Sequence, residues 1–155
     1  LHSSKGLAQF LCDLIVGQLV KITKLYQFAV FGWELVHKDT DHLDALGFDE
    51  RAASADVVLT GEGRLDATSL RGKAVHEVAR RAAQSGRPTV ALVGTTDENI
   101  EAAHRRMADA GAPLAEIVRL VDLARDDADA IERAGAFLEE ATGHGLTAWF
   151  TRTGA

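Results

Sequence analysis

Four charged side chains that suit phosphoryl-transfer chemistry follow one short apolar run. They are Glu62, Arg64, Asp66 and Lys73, and the run before them is Val57-Val58-Leu59. Phosphoryl transfer needs positioned phosphates, neutralised oxygens and a placed acceptor hydroxyl. Basic side chains can hold phosphate or carboxylate oxygens, and carboxylates can hold Mg²⁺ or orient a hydroxyl. The alternative is a loop whose shape is fixed by ion pairs, Glu62 with Arg64 or Asp66 with Lys73.

Residues without bulky side chains surround these charges. Gly61 and Gly63 permit backbone angles that other residues resist, and their missing side chains let a ligand approach the main chain. Gly94 and Thr95 follow the next predicted strand, so they are expected beside the first loop, where they line the same cleft or simply form a turn. Hydroxyl groups near a helix start suit anions because free N–H groups are available there. The candidate substrate- or phosphate-binding residues are Gly61, Gly63, Arg64, Ser69, Gly72, Gly94 and Thr95.

Alternating strands and helices are expected to position these residues. Apolar and β-branched runs predict strands at 56–60, 89–93 and 116–121, and the alternation makes them parallel neighbours. The fold class is therefore α/β, with a small parallel sheet and flanking helices in three layers, a partial Rossmann-like or flavodoxin-like domain. Ligands in such sheets bind beyond the carboxyl ends of the strands. The predicted helices cover 43–53, 73–84, about 97–110 and 126–142.

Capping chemistry predicts where two of these helices begin and end. Thr96 or Asp97 is expected to cap the helix that runs to about Ala110, because their side-chain oxygens can accept from the first free N–H groups. The last helix is expected to end before Gly143. The residues expected on its inward face are Ala130, Ile131, Ala134, Phe137 and Leu138.

The first 44 residues differ in composition from the rest. Four of the five lysines lie there, whereas all twelve arginines follow. Apolar residues at helical spacing predict an amphipathic helix over 5–24, and 26–36 suits either a strand or a continuation of that helix. The change marks a domain boundary or a foreign segment, such as a fusion or a reading-frame change. We therefore divide the chain into a segment of undetermined origin, 1–44, expected to be helical, and an α/β portion, 45–155.

Bulk composition disfavours several classes of protein. A net charge of −6 argues against general nucleic-acid binding, which needs a basic surface. The single cysteine, Cys12, excludes an intrachain disulfide and fits a reducing compartment. Charged residues interrupt the longest apolar stretches, which argues against a membrane span. We expect a cytoplasmic protein that acts on a small molecule and binds neither nucleic acid nor membrane, with a homo-oligomer left open.

The charged stretch also resembles a known family. It is similar to the C-terminal signature of the bacterial two-domain glycerate kinases. The resemblance runs from about Ala45 to about Gly143, is densest before Val93, and does not cover 1–44. The residues that carry it are Thr60-Gly61-Glu62-Gly63-Arg64-Leu65-Asp66, Ser69, Gly72-Lys73-Ala74 and Val78-Ala79.

This resemblance implies ATP-dependent phosphorylation of glycerate with Mg²⁺. It implies catalytic roles for Glu62, Asp66 and Lys73, with Glu62 and Asp66 as the candidate Mg²⁺ ligands. In that family the C-terminal portion completes a Rossmann-like domain, and another domain is inserted, so this chain is expected to be a fragment without appreciable kinase activity. The alternatives are a noncatalytic α/β module that binds a small anion or a partner chain, and a remnant without function.

Overall fold

Four parallel strands form the centre of the molecule. The computed structural model describes residues 28–30 and 40–153. The strands are hydrogen-bonded in the order β1-β2-β3-β4, and each neighbouring pair is parallel. The α/β fold class and the parallel neighbours expected from the sequence are therefore confirmed. The strands are β1 (Phe28–Val30), β2 (Val57–Leu65), β3 (Thr89–Thr96) and β4 (Glu116–Arg119).

Six α-helices and two short 3₁₀ turns connect and follow these strands within the described residues. The predicted helix over 43–53 is split in two, because Gly47 adopts a left-handed φ of 61° between the two pieces. The α-helices are α1 (Thr40–Ala45), α2 (Phe48–Ser54), α3 (Ala74–Gln84), α4 (Ile100–Asp109), α5 (Asp127–Glu132) and α6 (Ala134–Thr153), and the 3₁₀ turns are Ala67–Leu70 and Leu120–Asp122.

Helices cover both faces of the sheet. On one face, α3 and α4 bury Val75 and Met107 against Ala91 and Val93 of β3. On the other face, α6 packs its apolar residues against alternate residues of β2 and β3. Successive side chains of a strand point to opposite faces of the sheet, so one apolar run can pack against the helices on both faces. The expected three-layer arrangement is present.

Strand β2 is longer than the sequence predicts. Gly61 pairs with Leu92 and Leu65 pairs with Thr96, so the strand runs through Glu62 and Arg64, which were expected to lie in a loop. Glycine is a poor strand former, and sequence patterns end a strand where glycines begin. Here the hydrogen bonds to β3 keep the backbone extended. The side chains of Glu62 and Arg64 therefore project from the end of a strand, whereas Asp66 and Lys73 lie in the connection after it.

Strand β3 also continues past its predicted end, and this moves the start of the next helix. Thr96 still belongs to β3, and the Asp97 N–H donates to the Leu65 carbonyl at 3.4 Å. Neither residue caps the helix, so that prediction was wrong. Asn99 does so instead, because its side-chain oxygen accepts from the Ala102 N–H at 2.8 Å.

The last helical region differs from the prediction in two ways. It is divided at Arg133 into α5 and α6, and α6 continues through Gly143 to Thr153. Gly143 therefore lies inside the helix and does not follow its end. Of the residues expected to face inward, Ala130, Ala134, Phe137 and Leu138 are buried. The side chain of Ile131 lies outside what the structure describes.

Most of the first segment lies outside the described residues, including the predicted helix over 5–24. Its described parts are β1, which pairs with β2 and agrees with the extended alternative for 26–36, and residues 40–44, which belong to α1. No helix within residues 40–153 is both long and apolar enough to cross a bilayer.

Candidate active site

The charged residues gather where β2 ends and the chain turns into α3. Glu62 projects from β2, Asp66 follows the strand, and a 3₁₀ turn leads to Lys73 immediately before α3. Gly72, in this turn, has a φ of 81°, a left-handed conformation that favours glycine. This charged cluster lies at the carboxyl edge of the parallel sheet, which is where ligands of such sheets usually bind.

Asp66 organises the turn through its carboxylate and its backbone. Its Oδ1 accepts from the Thr68 N–H at 2.8 Å and from the Thr68 hydroxyl at 2.5 Å. The Asp66 N–H in turn donates to the Ser69 hydroxyl oxygen at 3.1 Å. These bonds fix the 3₁₀ turn in the manner of a helix cap. The hydrogen bond from the Thr68 side chain is the main cause that lowers the pKa of Asp66, so this carboxylate is ionised at neutral pH.

Lys73 approaches both carboxylates. Its Nζ lies 3.5 Å from Asp66 Oδ1 and 3.9 Å from Glu62 Oε2. The lysine side chain is partly exposed, whereas that of Glu62 is only 1 % exposed. One ammonium group therefore connects the two carboxylates, one from the strand and one from the turn.

Glu62 has the most unusual environment of the predicted site residues. No donor among the described residues reaches its buried Oε1. Burial raises the pKa of Glu62 to about 7, although the Ser69 hydroxyl and the Lys73 ammonium both act to lower it. A buried carboxyl group is penalised for carrying charge, which explains the direction of the change. Glu62 can therefore gain or lose a proton near neutral pH.

The remaining predicted residues have different positions in the site. Arg64 is largely exposed and lies 4.0 Å from Asp66 Oδ2, so it borders the cluster. Ser69 is fully buried, and its hydroxyl oxygen accepts from the Asp66 N–H, so it supports the turn from inside, while the same hydroxyl acts to lower the pKa of Glu62. Gly61 is an internal residue of β2.

Gly94 and Thr95 lie beside the cluster, as the sequence predicts for neighbouring strands. Arg64 pairs with Thr95 across β2 and β3. A Cβ atom at Gly94 would collide with the Gly63 carbonyl oxygen, whereas one at Gly63 would meet nothing within 4 Å. The absence of a side chain at Gly94 therefore allows β2 and β3 to lie close together. The space next to Gly63, in contrast, is open.

Sequence reasoning missed two arginines near this edge. Arg106 of α4 pairs with Asp97 at 3.3 Å, and its charge also acts to lower the pKa of Glu62. Arg119 ends β4 and donates to the Thr96 hydroxyl at 3.3 Å. The strand predicted over 116–121 placed Arg119 in its interior, whereas β4 ends at Arg119, so this side chain lies at the carboxyl edge of the sheet. Arg106 shows no signal in the sequence, since it lies within a polar helix surface.

A family model decides the relationship of the chain to known proteins. The model described as "Glycerate kinase family" matches residues 28–149. The chain belongs to the glycerate kinase family. The match begins before Ala45, where the resemblance seen in the sequence starts, and includes β1. The edge strand of the sheet is thus within the family match.

Curated relatives are similar over shorter stretches. A glycerate kinase of Halalkalibacterium halodurans is 35 % identical over 89 residues, which is 57 % of this chain and 23 % of the relative. A glycerate kinase of Haemophilus influenzae is 40 % identical over 72 residues, 46 % of this chain and 19 % of the relative. A glycerate 2-kinase of Escherichia coli is 32 % identical over 66 residues, 43 % and 17 % respectively. The chain thus matches about a fifth of the length of these relatives.

Proposed function

We propose that this chain supplies part of the site at which a glycerate kinase transfers the γ-phosphoryl group of ATP to a hydroxyl of glycerate. The observation that carries the proposal is the buried Glu62 carboxyl group. One of its oxygens lacks a donor within the described part of the chain, and the ammonium of Lys73 lies 3.9 Å from the other. A ligand hydroxyl group could donate to the unpartnered oxygen, and an anionic group of the ligand could pair with the ammonium.

Lys73 is the group proposed to hold an anion. It precedes α3 without a side-chain hydrogen bond that caps the helix, so the ammonium and the first N–H groups of α3 offer positive charge in one place. Oxygens of a phosphoryl group or of the glycerate carboxylate would be stabilised there. Because negative charge is spread over the phosphoryl oxygens during transfer, a fixed cation lowers the barrier.

Glu62 is the group proposed to receive or orient the acceptor hydroxyl. A general base works best when its pKa lies near the operating pH, and the pKa of Glu62 is about 7. Its Oε1 can accept the hydroxyl hydrogen bond that no described residue supplies. On ionisation Glu62 would take the proton that the hydroxyl loses as its oxygen bonds to phosphorus.

Asp66 is proposed as the residue that positions Lys73. Its carboxylate is fixed by Thr68 and accepts from the lysine at 3.5 Å, so it restricts where the ammonium can lie. Arg64 and the open backbone at Gly63 are the further features proposed to contact the phosphates of ATP. A cytoplasmic location is part of the same proposal, and assembly into a homo-oligomer stays a sequence-based expectation.

The test uses a glycerate kinase of full family length, at the positions that align with these residues. Glu62→Gln removes the proton acceptor while keeping the side-chain shape, and kcat should fall about 10²–10⁴-fold. Lys73→Ala should also lower kcat, and both variants should keep a cooperative melting transition. Arg71→Ala is the matched control, because Arg71 is an exposed cation two residues before Lys73. Its kcat should stay at the parental value.

Parental kcat in the Glu62 and Lys73 variants would overturn the proposal. Calorimetry with glycerate on the 155-residue chain supplies a second measurement. We expect the chain to bind glycerate in this calorimetric titration, and to release no ADP in a separate assay with ATP and glycerate. Anion binding by the chain, combined with unchanged turnover in the variants, would favour a noncatalytic module instead.

A further inference from the structure

The position that a metal ion would take between Glu62 and Asp66 is instead approached by a lysine. We infer that Lys73 is the resident cation of this carboxylate pair, and that Glu62 and Asp66 do not together hold Mg²⁺. Three observations carry the inference: the donors on Asp66, the burial of Glu62, and the distances from the ammonium to both.

The Asp66 oxygen nearest to Lys73 has no free capacity for a metal. Oδ1 accepts from the Thr68 N–H, the Thr68 hydroxyl and the Lys73 ammonium. A carboxylate oxygen offers about two lone-pair directions, so these three donors saturate it. Metal coordination through Oδ1 would require the turn from Asp66 to Lys73 to open.

Glu62 does not suit a hydrated ion. Mg²⁺ demands octahedral geometry and gives up water reluctantly, so it usually keeps several waters in its protein sites. The Glu62 side chain is 1 % exposed, and its Oε1 is fully enclosed. An ion bound through this carboxyl group would therefore have to give up much of the water that it normally keeps. A single O–H donor from a ligand makes a smaller demand on the same oxygen.

Charge leads to the same conclusion. The Lys73 ammonium lies 3.5 Å from Asp66 and 3.9 Å from Glu62, so one positive charge already offsets part of the negative charge of the pair. A divalent ion at the same oxygens would be repelled by the ammonium at short range. Nor do any three His, Cys, Asp or Glu side chains form a metal-binding group in the part of the chain that the structure describes.

The inference also bears on how Mg²⁺ would reach the reaction. In nucleotide-dependent transfer the ion is commonly bound through substrate phosphates with one or two carboxylates. On the proposed function, the phosphates of ATP would hold Mg²⁺, and Lys73 would contact the same phosphates from the protein side. This extension rests on the proposed function. The assignment of Lys73 as the resident cation is independent of the proposed function, because it is tested by measuring metal binding and not by kinase activity.

The first test is a titration of the unaltered chain with Mn²⁺, observed by paramagnetic broadening of backbone amide signals. Mn²⁺ prefers the same oxygen ligands as Mg²⁺ and broadens signals close to its site. The signals of Glu62 and Asp66 should stay sharp at Mn²⁺ concentrations that saturate an ordinary carboxylate site. Selective broadening at these two residues would overturn the inference, whatever the behaviour of any variant.

The second test removes the lysine. Lys73→Met keeps the length of the side chain and deletes its charge, so Mn²⁺ affinity at Glu62 and Asp66 should rise at least about ten-fold, because a like charge within 4 Å is gone. Lys73→Arg is the matched control and should remain without Mn²⁺ binding. Adding Glu62→Gln to Lys73→Met should abolish the gain. A folded Lys73→Met chain with no gain in affinity would overturn the assignment of Lys73 as the cation in a metal's place, and would leave the burial of Glu62 as the feature that excludes the ion.

Discussion

At the scale of single residues, the pKa of Glu62 links proton binding to folding. The ordinary value is 4.5, and burial raises the pKa to about 7 in the folded chain. Between these values the folded state binds a proton that the unfolded state has lost. The free energy of unfolding should therefore be highest below pH 4.5 as far as Glu62 is concerned, and it should fall as the pH rises to about 7. The loss amounts to at most about 3–4 kcal/mol, since one pKa unit corresponds to about 1.4 kcal/mol.

Glu62→Gln isolates this contribution, because glutamine does not titrate. Urea unfolding across the window should show a difference in unfolding free energy between parent and variant that changes steadily with pH. Asp66 does not interfere, since its lowered pKa places its effect at more acidic pH. A constant difference for Glu62→Gln would mean that folding leaves the pKa of Glu62 unchanged.

At the scale of secondary-structure elements, one glycine allows β2 and β3 to approach each other. A Cβ at Gly94 would collide with the backbone of Gly63, and backbone atoms cannot move aside as a flexible side chain can. Gly94→Ala should therefore lower the free energy of unfolding by about 1–3 kcal/mol, the usual range for overpacking. Chemical denaturation of the two proteins measures the change.

Gly63→Ala is the matched control on the opposite strand. The added Cβ meets no heavy atom within 4 Å, and Gly63 does not have a positive φ. Alanine also reduces the freedom of the unfolded chain, so this variant should be neutral or more stable by about 0.4–1 kcal/mol. Equal losses for the two variants would show that the glycines are needed for flexibility and not for the close contact between strands.

The same two strands show what the sequence can and cannot predict. The run Val57-Val58-Leu59 predicts a buried strand because its own residue types require burial. Its end at Leu65 is not predictable in this way, because Gly61 to Leu65 are held by hydrogen bonds to β3 and not by their own propensity. The site shows the same division. The residue types and the strand-end position predict Glu62, Asp66 and Lys73, whereas the burial of Ser69 depends on how the turn packs.

At the scale of the whole molecule, Gly145 sets how closely α6 packs on the sheet. A Cβ there would lie 2.9 Å from Val90 Cγ1 and 3.1 Å from Val118 Cγ2. These valines belong to β3 and β4, so the contact joins the helical layer to two strands at once. Glycine costs helix stability relative to alanine by roughly 0.5–1 kcal/mol, and the close packing compensates for this cost. Gly145→Ala should therefore destabilise the chain by about 1–3 kcal/mol despite its better helix propensity.

Gly143 offers the opposite expectation two residues earlier in the same helix. It is exposed, and an added Cβ would meet nothing within 4 Å. Gly143→Ala should therefore raise the free energy of unfolding by roughly 0.5–1 kcal/mol. In a Val90→Ala background the cost of Gly145→Ala should shrink, because the nearest methyl group is absent, and this double-mutant cycle identifies the contact. If Gly145→Ala stabilises the chain as Gly143→Ala does, α6 can move away from the sheet without cost, and the layers are not held at this distance by Gly145.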